Sequence, residues 1–311
     1  MPDLFETALL PTRGPVFLEP VRIYTGILGQ IGDIVAFTPT VRRIKELFPN
    51  SQITFAVSER YREAGELVAG LPYVDRLFVT KQYFEQLTDD RYFPWHLGWP
   101  VNLCGDDEVV EQYHHDIVLE TRPRHRRMPW WEYAHMSEEF AHMVGVPGPI
   151  VRQAEIRIPP GTLAPAEAHG KIVLHNDPDI SSEKQWPWES VERLVQRIGA
   201  ENVVLLGKPG PEVAGTLDLR GKTSLAEAAS IIAQATCYVG IDSGLMHIAG
   251  SLQAPVVGLY ATAYIAAYDA IYPENPNALY LQSEGVMGEI TPGSVEASVK
   301  RILRTGRRAR S

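Results

Sequence analysis

Apolar residues recur along this chain in short runs set between stretches of helical spacing. Residues 21–24, 52–57 and 76–79 are rich in β-branched and aromatic side chains, whereas 34–48 and 61–69 place apolar side chains three and four positions apart. The first pattern predicts buried strands and the second amphipathic helices. Within 34–48, Thr38-Pro39 is suited to restart a helical turn as N-cap and first position. A strand is predicted at 116–120 and a helix at about 133–144. A second series follows, with strands at 172–175, 203–206, 237–241 and 255–260. They alternate with helices at 188–198, 225–234 and 245–252, and a last helix covers about 294–303. Strands and helices alternating at this interval predict an α/β protein of two doubly wound parts. Residues 1–20 are Pro-rich and non-periodic, an irregular lead-in, and IPPGTLAPAEAHG at 158–170 reads as a linker. Residues 81–135 hold Trp95, Trp99, Trp130 and Trp131 beside several histidines and the run RPRHRR. They suit either a carbohydrate-facing surface or the core of a small domain.

A chain of 311 residues is long enough for two domains with cores of their own. Apolar content of 45% and charged content of 22% fit a soluble globular protein. Cys104 and Cys237 lie far apart, which argues against a disulfide framework and for a reducing, cytoplasmic setting. No signal peptide is read at the N-terminus, and no apolar run approaches the ~20 residues of a spanning helix. The net charge of −9 argues against wholesale nucleic-acid binding. The basic tail KRILRTGRRARS fits a frayed charged terminus better than a membrane contact.

Candidate chemistry centres on CYVGIDSGLMHIAGSLQAPVVGLY, residues 237–260, a strand, a short Gly turn, a helix and a strand. Ligands of parallel sheets collect beyond the carboxyl ends of the strands, where Asp242, Ser243, Gly244 and His247 fall. The amides opening the helix lack intrahelical partners and carry the positive end of its dipole, so they attract an anion such as a diphosphate. His247 either donates to a phosphate or sugar oxygen or is structural. Lys184 lies in the loop after KIVLHN, ahead of Pro187, which suits a first helical position. A lysine there can stabilise a diphosphate as a leaving group, with hydroxyls from Ser181 and Ser182; a solvated loop lysine is the alternative. Glu212 in LLGKPGPEV either binds ribose hydroxyls or caps the next segment. Ser224 with Glu227 forms a capping box, and the loop ahead of it can touch a base. Asp33 ends GILGQIGD, whose glycines are spaced GxxGxxG, so the dinucleotide fingerprint of a nicotinamide oxidoreductase is not met. Asp33 either complements the helix dipole or serves as a general base, kept ionised by that dipole.

ILGQIGDIVAFTPTVRRIKELFPNSQITFAV, KQWP, VVLLGKP, LRGKTSLAEAASIIAQATCYVGIDSGLMHIAGSLQAPVVGLY and ITPGSVEASVKRIL resemble the heptosyltransferase-like glycosyltransferases of family nine, over residues 21–80 and 171–305. The resemblance implies a GT-B fold, two Rossmann-like doubly wound domains facing a central cleft. Residues 1–160 then bind the acceptor and 161–290 the nucleotide-sugar donor, while the helix within 291–311 crosses back to the first domain. It further implies inverting, metal-independent transfer of a heptose or related sugar from a nucleotide diphosphate, ADP-linked, to an acceptor hydroxyl. Carried over by position, Asp33 is the base, with Gly29 and Gly32 on the acceptor side, and Lys184 the diphosphate lysine. Ser181, Ser182, Glu212, Thr223, Asp242, Ser243, Gly244, Leu245 and His247 complete the donor side. No DxD metal motif is placed to serve this chemistry, and no cofactor besides the donor substrate is expected. The acceptor is a glycan, a lipid-linked or small molecule, or a protein, with peripheral membrane contact at most. Two rival readings are a nucleotide-sugar epimerase of the same fold and a non-catalytic nucleotide-sugar-binding module.

Overall fold

The computed structural model describes residues 21–27, 29–81, 117–119, 135–178, 182–261 and 271–308. The lead-in, the Trp-rich stretch with RPRHRR, Cys104 and Ser181 lie outside the described residues. The chain divides into two compact units, Met1–Arg157 and Ile158–Ser311.

The first unit runs β1 (Arg22–Gly26), α1 (Ile31–Ala36), α2 (Thr38–Leu47), β2 (Gln52–Ser58), α3 (Arg62–Ala69), β3 (Arg76–Thr80), β4 (Ile117–Leu119) and α4 (Met136–Met143). Its strands pair in parallel in the order β3-β2-β1-β4. The helix predicted at 34–48 is two helices, and Phe37 rather than Thr38 holds the N-cap of the second, with Pro39 in its first turn. The Thr38 hydroxyl is engaged elsewhere: it donates to the Val35 carbonyl at 2.8 Å and accepts from the Glu155 amide at 3.0 Å. Phe37 is fully buried, its ring tilted against Phe55 and edge-on to Phe140. That packing fixes the bend between the helices.

The second unit runs β5 (Ile172–His175), α5 (Trp188–Ile198), β6 (Val203–Leu206), β7 (Leu217–Asp218), α6 (Leu225–Ala233), β8 (Cys237–Ile241), α7 (Gly244–Ser251), β9 (Val256–Ala261), β10 (Ala278–Ser283) and α8 (Pro292–Arg308). All its strands pair in parallel, in the order β10-β9-β8-β5-β6-β7. The four central strands are buried along their whole length, which explains their near-continuous apolar runs. The pattern did not predict β7 and β10, which form the two edges of the sheet and are largely half-buried. Pro187 is the N-cap of α5, one place ahead of the predicted first position, and its carbonyl accepts the Ser190 and Val191 amides.

One face of this sheet forms an apolar core, in which Leu174, Val239 and Leu259 meet Leu194 of α5 and Val295 and Val299 of α8. On the other face a row of register partners crosses the sheet, from His175 to Gly240, Gly258 and Tyr280. Polar groups are therefore buried one level beneath the carboxyl ends of the central strands. Among the described residues no helix is long and apolar enough to cross a membrane.

Candidate functional site

In an open parallel sheet the ligand crevice lies where the strand order reverses. In the first unit that point falls at β1, which has β2 and β3 on one side and β4 on the other. The chain leaving β1 passes close to β2: a Cβ on Gly26 would lie 2.2 Å from the Ala56 carbonyl oxygen, so only glycine fits. The turn then delivers Asp33 to the first turn of α1, where it is 4% exposed. Its Oδ2 accepts the Gln30 amide at 2.8 Å, so the acid caps its own helix. Gly29 makes room for it, because a Cβ there would stand 2.5 Å from that same oxygen. Gly32, half-buried, is the second residue of α1.

The reversal in the second unit lies between β5 and β8, and the groups singled out in the sequence gather there. Ser243 is the N-cap of α7 in an extended conformation, and its Oγ accepts the Met246 amide at 3.3 Å. The same oxygen lies 3.3 Å from His175 Nδ1, at the end of β5. Burial, with the nearby charge of Lys208 acting in the same direction, pushes the His175 imidazole down to about 4. The ring is neutral at pH 7 and shares one hydrogen bond with the Ser243 hydroxyl. Gly244 and Leu245 open α7, and their amides have no intrahelical acceptor. Gly244 is half-buried, whereas the Leu245 and His247 side chains are buried. Leu245 can therefore meet a ligand through its backbone, and the His247 amide is already taken by the Ser243 carbonyl at 3.3 Å.

Lys184 ends a single 3-10 turn, Ser182–Lys184, in which Ser182 is exposed. Its loop is tied to β5 through Asn176, a buried residue. The Asn176 side chain donates to the Trp186 carbonyl at 2.7 Å and accepts the Trp186 amide at 2.9 Å, while Gln185 Nε2 donates to the Asn176 carbonyl at 3.1 Å. The Trp186 indole is 1% exposed and donates to the Ile290 carbonyl at 2.8 Å. So held, Lys184 Nζ lies 2.6 Å from Asp242 Oδ2, both side chains being mostly buried. A cation, a carboxylate and a helix N-terminus thus converge at the reversal of strand order. They suit an anion that carries hydroxyl groups beside it.

The loops after β6 and β7 flank this cluster. Gly207 has φ +117°, and a Cβ there would lie 2.9 Å from the His175 ring. Its carbonyl accepts the Gly221 amide at 2.8 Å, and the next amide, of Lys208, donates to Asp177 Oδ2 at 3.0 Å. Glu212 is exposed in the β6–β7 loop. Thr223, half-buried, immediately precedes the capping box, which is present as expected: Ser224 and Glu227 exchange bonds of 2.8 and 3.2 Å. Arg220 grips Asp218 through two nitrogens at 2.9 and 2.7 Å and lies over the Trp188 ring, holding the Asp218 carboxyl below its usual range.

His175, Asn176 and Asp177 escaped the sequence reading as site residues. The signal present was His-Asn-Asp at the end of an apolar strand, where the backbone leaves the core on the ligand side of the sheet. Among the described residues no three His, Cys, Asp or Glu side chains come together as a metal site.

The profile of glycosyltransferase family 9 (heptosyltransferase) matches residues 140–279. Over 93 residues the chain is 33% identical to lipooligosaccharide heptosyltransferase 2 of Haemophilus influenzae, covering 25% of this chain and 27% of that protein. The matched stretch thus spans about a quarter of that relative. The fold is similar to that of a family 9 glycosyl transferase from Veillonella parvula, with a TM-score of 0.70 and 17% identity over 93% of this chain and 98% of the other. It is also similar to the E. coli ADP-heptose lps heptosyltransferase II, with a TM-score of 0.69 and 17% identity over 92% and 100%. These likenesses give the α/β architecture its type, the two Rossmann-like units of a GT-B fold. Lys184, Asp242 and the α7 N-terminus all fall inside the segment that is similar to the heptosyltransferase profile of glycosyltransferase family 9.

Proposed function

We propose that this protein is a glycosyltransferase that moves a heptose or related sugar from an ADP-linked donor to an acceptor hydroxyl, with inversion and without a metal ion. The observation that carries this reading is the convergence of Lys184, Asp242 and the amides of Gly244 and Leu245 at the strand reversal of the second unit. There the amides and the ammonium group receive the diphosphate, and Asp242 orients Lys184 and accepts from sugar hydroxyls. Glu212 and Thr223, on the β6 side, serve the nucleoside, and Ser181 and Ser182 add hydroxyls near the phosphates. His247 adds a polar contact from the first turn of α7.

In the reaction the acceptor oxygen forms a bond to the anomeric carbon as the bond from that carbon to the diphosphate breaks. The electron pair leaves with the nucleoside diphosphate, whose charge Lys184 offsets. The acceptor proton goes to Asp33, a group whose help is worth about 10²–10⁴-fold in rate. A single displacement of this kind inverts the anomeric centre. No cofactor enters the scheme.

The test is calorimetric titration of the purified chain with ADP, GDP and UDP, followed by incubation with the corresponding nucleotide sugars. Binding of none of the three would refute the proposal. Asp33→Ala should abolish transfer yet leave ADP affinity within a few-fold of the parent; a variant that still transfers removes Asp33 as base.

A further inference from the structure

The face of the second sheet turned away from α5 and α8 buries two hydroxyls that satisfy nothing. Tyr238 of β8 and Tyr260 of β9 are 0% and 3% exposed, and neither hydroxyl makes a hydrogen bond of ordinary geometry among the described residues, although the Ser243 hydroxyl is near enough to Tyr238 to act on it. Tyr280, on the same face, does have one, donating to the Pro273 carbonyl at 2.6 Å. Buried orphan hydroxyls are uncommon and destabilising, so two side by side require a reason.

Their placement supplies it. The Tyr238 hydroxyl stands 2.6 Å from where a Cβ of Gly240 would be, and the Tyr260 ring edge 3.1 Å from that of Gly258. Gly240 and Gly258 are register partners, so both rings lie across a shelf of two glycines. The Tyr238 ring runs toward the carboxyl end of β8, two residues short of Asp242. After burial, the Asp242 charge is the next largest cause pushing the Tyr260 phenol up, and it pushes Tyr238 up as well, against the Ser243 hydroxyl, which lowers it. Register agrees: Ile241 pairs with Leu259, so Tyr260 lies across from Asp242, and the Tyr238 hydroxyl reaches the level of Gly240 on the same strand.

We propose that Tyr238 and Tyr260 are positioning residues that hold the Asp242 carboxylate when Lys184 turns to the diphosphate of a donor. The inference rests on the reading of the site given above. In this structure Asp242 is held by Lys184 at 2.6 Å. A diphosphate that draws the ammonium away leaves a mostly buried carboxylate beside fresh negative charge, which is unfavourable unless donors replace the cation. An ionised carboxylate accepts up to four hydrogen bonds, and two phenol O–H groups, Tyr260 with no partner and Tyr238 with only the Ser243 hydroxyl near it, lie on the same end of the sheet. Donor binding then satisfies both hydroxyls and sets the carboxylate for the sugar. The orphan state is a cost carried until that moment.

The experiment titrates ADP into the purified full chain and into Tyr238→Phe, Tyr260→Phe and the double variant at several pH values, with melting temperatures measured without ADP. The Phe variants should melt no lower than the parent, since each loses an unsatisfied hydroxyl. They should bind ADP about tenfold more weakly or worse, the value of a hydrogen bond to a charged group. In an Asp242→Asn background the Phe substitutions should add no further loss. Phe variants that bind ADP as tightly as the parent at every pH would overturn the inference while leaving the proposed function standing. Variants that melt lower would overturn it too, by showing that the hydroxyls already have partners. A parent chain that binds none of ADP, GDP and UDP would sink both.

Discussion

Charging His175 should cost the second unit stability as pH falls below neutral. The ring is buried beneath Gly207, and its Nδ1 can accept from the Ser243 hydroxyl only while the imidazole is neutral. Folding lowers its pKa from 6.5 to about 4. The sign follows: this contribution is fully present above the unfolded value of 6.5 and is lost as pH falls toward the folded value. The whole gap corresponds to about 3 kcal/mol, of which about 2 kcal/mol is lost by about pH 5. His175→Gln removes the titration. Urea unfolding of the parent and the variant at about pH 7.5 and about pH 5 isolates the effect as a difference of differences. Glu138 and Asp218, whose carboxyls are held below their usual range by Arg152 and Arg220, lose stability only at still lower pH and in both proteins alike. The parent should lose about 2 kcal/mol more than the variant between the two conditions. Equal losses would refute the reasoning, because His175 would then be charged in the folded protein, or free to reach water.

Asn176→Ala strips the Trp186 amide and carbonyl of their buried partners; a loss of about 2–3 kcal/mol in urea unfolding is expected, with weaker ADP binding by calorimetry as the Lys184 loop comes loose. Gly207→Ala combines a φ of +117° with a contact to the His175 ring and should lower stability by about 1–3 kcal/mol, read from the urea midpoint at constant m-value. Lys184→Met leaves Asp242 mostly buried without its cation and should lower the melting temperature, by an amount equivalent to about 1–3 kcal/mol. Adding Asp242→Asn should restore most of that stability but none of the sugar transfer.

What the chain states locally, its periodicity states well. The four central strands of the second unit and α5 follow from apolar spacing, because side chains two or three to four positions apart share a face whatever surrounds them. The Ser224–Glu227 box is legible for the same reason, its partners being three residues apart. The edge strands β7 and β10 were missed because an edge is half-buried and lacks a full apolar run. Asp33, Lys184 and the DSG turn were recognisable as residue types at strand ends, where ligands collect. Their partners were not. Lys184 and Asp242 are 58 residues apart, and His175 and Ser243 are 68 apart. They meet only because β5 and β8 are neighbours in the sheet, and pairing between distant strands leaves no periodic trace in either one. The orphan hydroxyls of Tyr238 and Tyr260 belong to the same class: each reads as a strand aromatic until the register of β8 and β9 sets both rings on one pair of glycines. Local spacing decided which segments are buried; which buried polar groups face one another was decided by strand order and register, which only the folded sheet specifies.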